Sequence, residues 1–132
     1  MTSSADFAGS RSRMEKPALS DQAAAAMQLL GRRWVPDLIY LLRQRDARFS
    51  ELAAALPAVS NRVLTERLRD LTAEGVLTRT VEAGPPTRIT YALTELAAGL
   101  GTALEQVGYW ADGPGRALLA GPATETGTAG TR

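Results

Sequence analysis

Between Phe49 and Leu93 the apolar positions follow first a helical period and then a period of two, and the switch marks out the elements. In SNRVLTERLRDLTA, Val63, Leu64, Leu68 and Leu71 recur at helical spacing, while Arg62, Thr65, Glu66 and Arg69 fall on the opposite side of the cylinder. A helix over Ser60 to Ala73 thus has one face that packs and one free to touch something. Ser60 is a favourable N-cap, Val59 and Leu64 occupy the two positions of a hydrophobic staple, and Gly75 stands where a left-handed residue ends a helix. Just upstream, FSELAAAL reads as a short helix capped by Ser50 and ended by Pro57. Beyond Gly75, VLTRTVE and RITYAL are strand-forming runs around AGPPT, a turn sequence suited to a hairpin tip. Tyr91 alternates with Ile89 and Leu93 and reads as core. Helix, short link, helix and hairpin is the order of a winged helix-turn-helix, whose second helix enters the DNA major groove.

The flanking segments are helical in pattern. Leu19, Ala23, Ala26, Met27 and Leu30 share a face of a helix starting at Ser20 or Asp21 and ending at Gly31. The next helix begins near Trp34 or Val35, with Pro36 in its first turn, where a missing N–H costs nothing. Its core face is Val35, Leu38, Ile39 and Leu42, with Trp34 also expected in the core, and Arg48 with Phe49 is expected to add a very short strand. After the hairpin, Thr94 is expected to cap a long last helix with Glu95 in its first turn and a stripe of Leu96, Ala97, Leu100, Leu104 and Val107, then Trp110. Gly99, Gly101 and Gly108 each cost a helix about 1 kcal/mol relative to Ala, which close backbone packing would explain. The stripe exceeds what one small monomer can cover. It therefore suggests a homodimer through the first and last helices, with Ala23, Met27, Leu96, Leu100, Leu104, Val107 and Trp110 at the interface. The expected organisation is a flexible arm over 1–17, one mainly α domain with a small β-hairpin wing over 18–111, and a flexible tail over 112–132.

Composition narrows the chemistry. A chain of 132 residues suits one domain with a real core. With no cysteine and no histidine there is no thiolate nucleophile, imidazole base, disulfide or Cys/His zinc site, so neither an enzyme nor a cofactor or metal protein is expected. No apolar run approaches a membrane span and the start lacks a signal-peptide core, so a cytoplasmic protein is expected. The net charge is only +1, but residues 31–48 hold five arginines against Asp37 and Asp46, while residues 94–132 hold two against four acids. Positive potential gathers on the half with the DNA-reading elements.

LLGRRW at 29–34, RFSELAAALPAVSNRVLTERLRDLTAEGVLTRTV at 48–81 and PPTRITYALTELA at 85–97 together resemble the HxlR family of bacterial winged-helix transcription regulators. The resemblance spans roughly Ala23 to Trp110 and implies a DNA-binding regulator, most often a repressor. Where the family often has Gly-Gly-Lys-Trp this chain has Gly31, Arg32, Arg33 and Trp34, and where it has Pro-Pro-Arg this chain has Pro86, Thr87 and Arg88, so the cation persists at both places. Redox-sensing members carry a cysteine just before the first helix; here that position is Asp21.

Arg62, Thr65 and Arg69 lie about a turn apart, the spacing needed to reach successive base edges or phosphates. Ser60 and Asn61 at the start of that helix join the candidate DNA-binding set. Glu66 would either accept from a cytosine amino group or pair with a neighbouring arginine. Arg88 leaves the stiff hairpin tip towards the minor groove or a phosphate, and Arg32 and Arg33 suit phosphate contacts. Trp34, Tyr40, Tyr109 and Trp110 are the aromatic candidates for a small-molecule effector site. The leading reading is a homodimeric regulator of promoter DNA; the alternative is a winged-helix protein-interaction module that binds no DNA.

Overall fold

The computed structural model describes residues 16–121; the arm to residue 15 and the tail from residue 122 lie outside the described residues. Two compact units divide the chain, Met1–Arg32 and Arg33–Arg132. In the first, helix α1 (Asp21–Leu30) starts where the Ser20 hydroxyl accepts the Ala23 N–H at 3.0 Å and ends at Gly31. None of its residues is buried, and Met27 and the preceding Leu19 are exposed. The apolar face expected there is present but uncovered.

The second unit runs α2 (Val35–Gln44), β1 (Ala47–Arg48), α3 (Phe49–Ala55), α4 (Asn61–Ala73), β2 (Leu77–Glu82), β3 (Arg88–Leu93) and α5 (Ala98–Asp112). Val35, Leu38, Ile39 and Leu42 of α2, Leu52 of α3, Leu64, Leu68 and Leu71 of α4 and Leu77 of β2 form its core, and no polar side chain is buried among the described residues. The strands form one antiparallel sheet in the order β1-β3-β2. Ala47 pairs with Tyr91 on one side, and on the other Leu77 pairs with Leu93 and Glu82 with Arg88. Among the described residues no helix is long and apolar enough to cross a membrane.

Local chemistry sets the boundaries. The short strand lies one residue earlier than expected because Phe49 already belongs to α3. Nor is Ser50 the cap: Glu51 Oε1 accepts the Arg48 N–H at 2.8 Å and Oε2 meets Arg45 at 2.9 Å. That Arg48 N–H, and then the Arg45 guanidinium, hold the Glu51 carboxyl below the usual carboxylate range. Helix α4 begins as expected, with the Ser60 hydroxyl accepting the Val63 N–H at 3.1 Å, and both staple residues, Val59 and Leu64, are buried. It ends in a Schellman arrangement: Gly75 takes φ +84°, its N–H donates to Thr72 O at 3.2 Å, and Val76 N–H donates to Leu71 O at 2.9 Å.

The last helix departs most from expectation. Thr94 caps the turn that leads into α5 and not α5 itself: its hydroxyl accepts the Ala97 N–H at 3.2 Å while donating to Gly75 O at 2.8 Å, and its own N–H donates to Val76 O at 3.0 Å. Residues 95–97 make a turn, α5 starts at Ala98, and Leu96 is left outside it, 96 % exposed. The glycines do mark close approach, but within the chain. A Cβ at Gly101 would lie 2.9 Å from Leu93 Cδ1 and 3.1 Å from Arg43 Cβ, and one at Gly108 would lie 2.9 Å from the Tyr40 hydroxyl, so α5 packs on α2 and β3 through missing side chains. At Gly99 nothing lies within 4 Å. Nor is the chain irregular from residue 112: after a turn at residues 113–115, residues 116–121 are helical, and Gly115 is buried against the Trp110 ring, 2.7 Å from where its Cβ would sit.

Candidate nucleic-acid interface

Helix α4 turns its leucines inward, which leaves Asn61, Arg62, Thr65 and Arg69 exposed. Ser60 is also exposed, but its hydroxyl is engaged in capping, and the Thr65 hydroxyl donates to Asn61 O at 2.8 Å. Glu66 pairs with Arg62 one turn away at 3.5 Å. The pair is largely solvated, so it orients Arg62 weakly and leaves it able to exchange the carboxylate for DNA. At the far end of the sheet, Arg88 opens β3 and is exposed beside the tip, whose Pro85–Pro86 peptide is cis.

Arg67, absent from the residues singled out in the sequence, supports this helix. Half-buried, it donates its Nε–H to the Arg33 carbonyl oxygen at 2.9 Å, fastening the middle of α4 to the turn that opens α2. That turn is conformationally costly, for Trp34 adopts φ +75°, which a bulky residue rarely does. Trp34 is also not among the fully buried core residues. It is half-buried, and the Arg33 guanidinium stands 4.9 Å above its ring.

A groove of about 490 Å³ runs between α4 and the wing sheet, lined by Thr65, Leu68, Arg69, Thr72, Arg79 and Tyr91 among others. Tyr91 is thus not core but half-buried wall, and it faces the groove together with its cross-strand partner Arg79. Arg79 was missed because an arginine in a strand has no helical face to place it on. Pairing it with Tyr91, two positions from Leu77↔Leu93, requires the hairpin register.

The aromatic candidates do not converge. Tyr40 shares a shallow groove of about 240 Å³ with Asp37, Leu104, Val107 and Gly108, but Trp34, Tyr109 and Trp110 do not line it. Tyr109 and Trp110 are exposed on α5.

A capped reading helix behind a short link, followed by a three-stranded wing, defines a winged helix-turn-helix transcriptional regulator. Residues 29–117 match the family model described as HxlR-like helix-turn-helix, and the chain belongs to that family. Among its relatives, the uncharacterized HTH-type transcriptional regulator YvaP of Bacillus subtilis is 43% identical over 86 residues, covering 65% of this chain and 80% of that protein. YodB of the same organism is 33% identical over 88 residues, 67% of this chain and 79% of YodB. The crystal structure of diamide-treated YodB superposes with a TM-score of 0.62 at 30% identity, covering 73% of this chain and 95% of that one. The redox regulator HypR in its reduced form gives 0.69 at 27% identity, covering 76% and 99%.

Proposed function

We propose that the protein is a cytoplasmic homodimer that binds near-palindromic promoter DNA sequence-specifically and represses transcription, and that a small molecule bound non-covalently releases it. The observation that carries this reading is the exposed, cation-bearing face of α4 beside a wing that carries Arg88 next to its tip. In such a dimer two reading helices stand roughly 34 Å apart to meet successive major grooves. The exposed Met27, Leu96, Val107 and Trp110 supply apolar surface for the association, with Ala23, Leu100 and Leu104 beside them. Arg62 and Arg69 would clasp guanine edges, Thr65 would touch a thymine methyl, and Asn61 and Arg33 would add backbone contacts.

Titration of the operator and of a random duplex at several salt concentrations tests the reading. Binding should weaken steeply with salt, and Arg62→Ala or Arg69→Ala should cost roughly 1–3 kcal/mol at the operator and less on random duplex. Salt-insensitive or absent binding would favour a protein-interaction module instead.

The signal differs from that suggested by structures of diamide-treated and quinone-bound YodB. A thiolate is the nucleophile towards such reagents, and this chain has no cysteine, with Asp21 standing at the position that the family resemblance aligns with the sensing thiol. Diamide should therefore leave operator affinity unchanged, with mass spectrometry showing no adduct. Reversible release of DNA by diamide would contradict this.

A further inference from the structure

The groove between α4 and the wing holds more cationic chemistry than the base-reading face requires. Arg69 enters from the helix and Arg79 from β2, and among the described residues neither guanidinium has a carboxylate or hydrogen-bond partner. The Tyr91 hydroxyl, opposite Arg79 in the register, is likewise unengaged. The two threonines of the groove cannot add donors, because Thr65 and Thr72 donate to Asn61 O and Leu68 O of their own helix at 2.8 and 2.7 Å. The nearby Glu66 is turned to Arg62. What remains is two guanidiniums and a phenol, all donors, over an apolar floor containing Leu68 and Ala73. Such a set selects an anion with several acceptor oxygens.

Duplex geometry says which anion. A reading helix in the major groove and a wing over the adjacent minor groove straddle the sugar–phosphate ridge that separates the two. The surface between helix and wing must then accept that ridge, and here it is this groove. We propose that Arg79 and Tyr91, beside the base-reading Arg69, form the seat for one backbone phosphate of the bound duplex in each half-site. The assignment rests on the DNA-binding reading above and extends it to two strand residues. Arg79 is set by β2 pairing close to the buried Leu77, so the seat is rigid and fixes how far α4 turns into the groove.

The test uses the full chain and duplexes carrying a neutral methylphosphonate at each backbone position in turn. Arg79→Gln, an exposed site that should leave the melting temperature unchanged, is expected to weaken operator and random duplex alike by roughly tenfold and to flatten the log–log salt slope by about 0.9. Tyr91→Phe should weaken both about threefold with the slope preserved, because the phenol is neutral. Wild type should lose affinity at one methylphosphonate position per half-site to which Arg79→Gln is indifferent. If wild type binds DNA with a steep salt slope but Arg79→Gln matches it in affinity and slope, the phosphate seat is overturned while the DNA reading stands. If wild type shows no salt-dependent binding, both fall. Inorganic phosphate exchanged for chloride at constant ionic strength completes the test: phosphate binding lost in Arg79→Gln, with DNA affinity intact, would make the groove a free-anion site and overturn the proposal.

Discussion

Helices α4 and α5 carry similar leucine-rich stripes and end in opposite circumstances. In α4, Leu64, Leu68 and Leu71 are 0–1% exposed, whereas the only buried residue of α5 is Gly101, and Val107 and Trp110 lie about half exposed. The reading helix is finished within one chain: capped at both ends, filled on its apolar face and fastened by Arg67 to the α2 turn. The last helix docks through its glycines and leaves Val107, Tyr109 and Trp110 outward. A small domain can thus fill the apolar face of one helix while leaving large apolar side chains of another exposed.

The largest expected effect lies on the completed side. Leu68→Ala, in the core of α4, should destabilise the chain by roughly 2–5 kcal/mol in denaturant titration, by lost transfer energy plus a cavity. A loss below 1 kcal/mol would mean that α4 is held by its caps more than by its core.

Next comes the glycine contact. Gly101→Ala should cost roughly 1–3 kcal/mol, since its Cβ meets Arg43 Cβ, which cannot swing away, as well as the more yielding end of Leu93. Gly99→Ala, with open space around it, should instead stabilise by up to about 1 kcal/mol. Equal effects at the two sites would remove the distinction between a packed and an open glycine.

The smallest effect on the chain's own stability should come from Val107→Asp, because that side chain is 56% exposed. Sedimentation should nevertheless show it shifting dimer to monomer at micromolar concentration. A variant as dimeric as wild type would place the interface elsewhere and bring α5 closer to an ordinary surface helix.

Much of the architecture was legible in the residues. The cap at Ser60, the left-handed stop at Gly75, the Pro36 start of α2 and the period-two strands are local features, each set by a side chain acting within a turn of itself, so a linear reading recovers them. Arg62 and Arg69 of α4 were legible for the same reason, because helical spacing alone puts them on one exposed face. What only the tertiary structure decided depends on partners distant in sequence. Thr94 bonds to Gly75 and Val76 at the base of the wing, Gly101 and Gly108 meet α2 where dimer packing was expected, and Arg79 and Tyr91 share a groove wall with Arg69. Residue type says that a glycine permits close approach or that an arginine seeks an anion. Which surface approaches, and which cations share a groove, is settled by the packing of chain segments up to about seventy residues apart, as Tyr40 and Gly108 are.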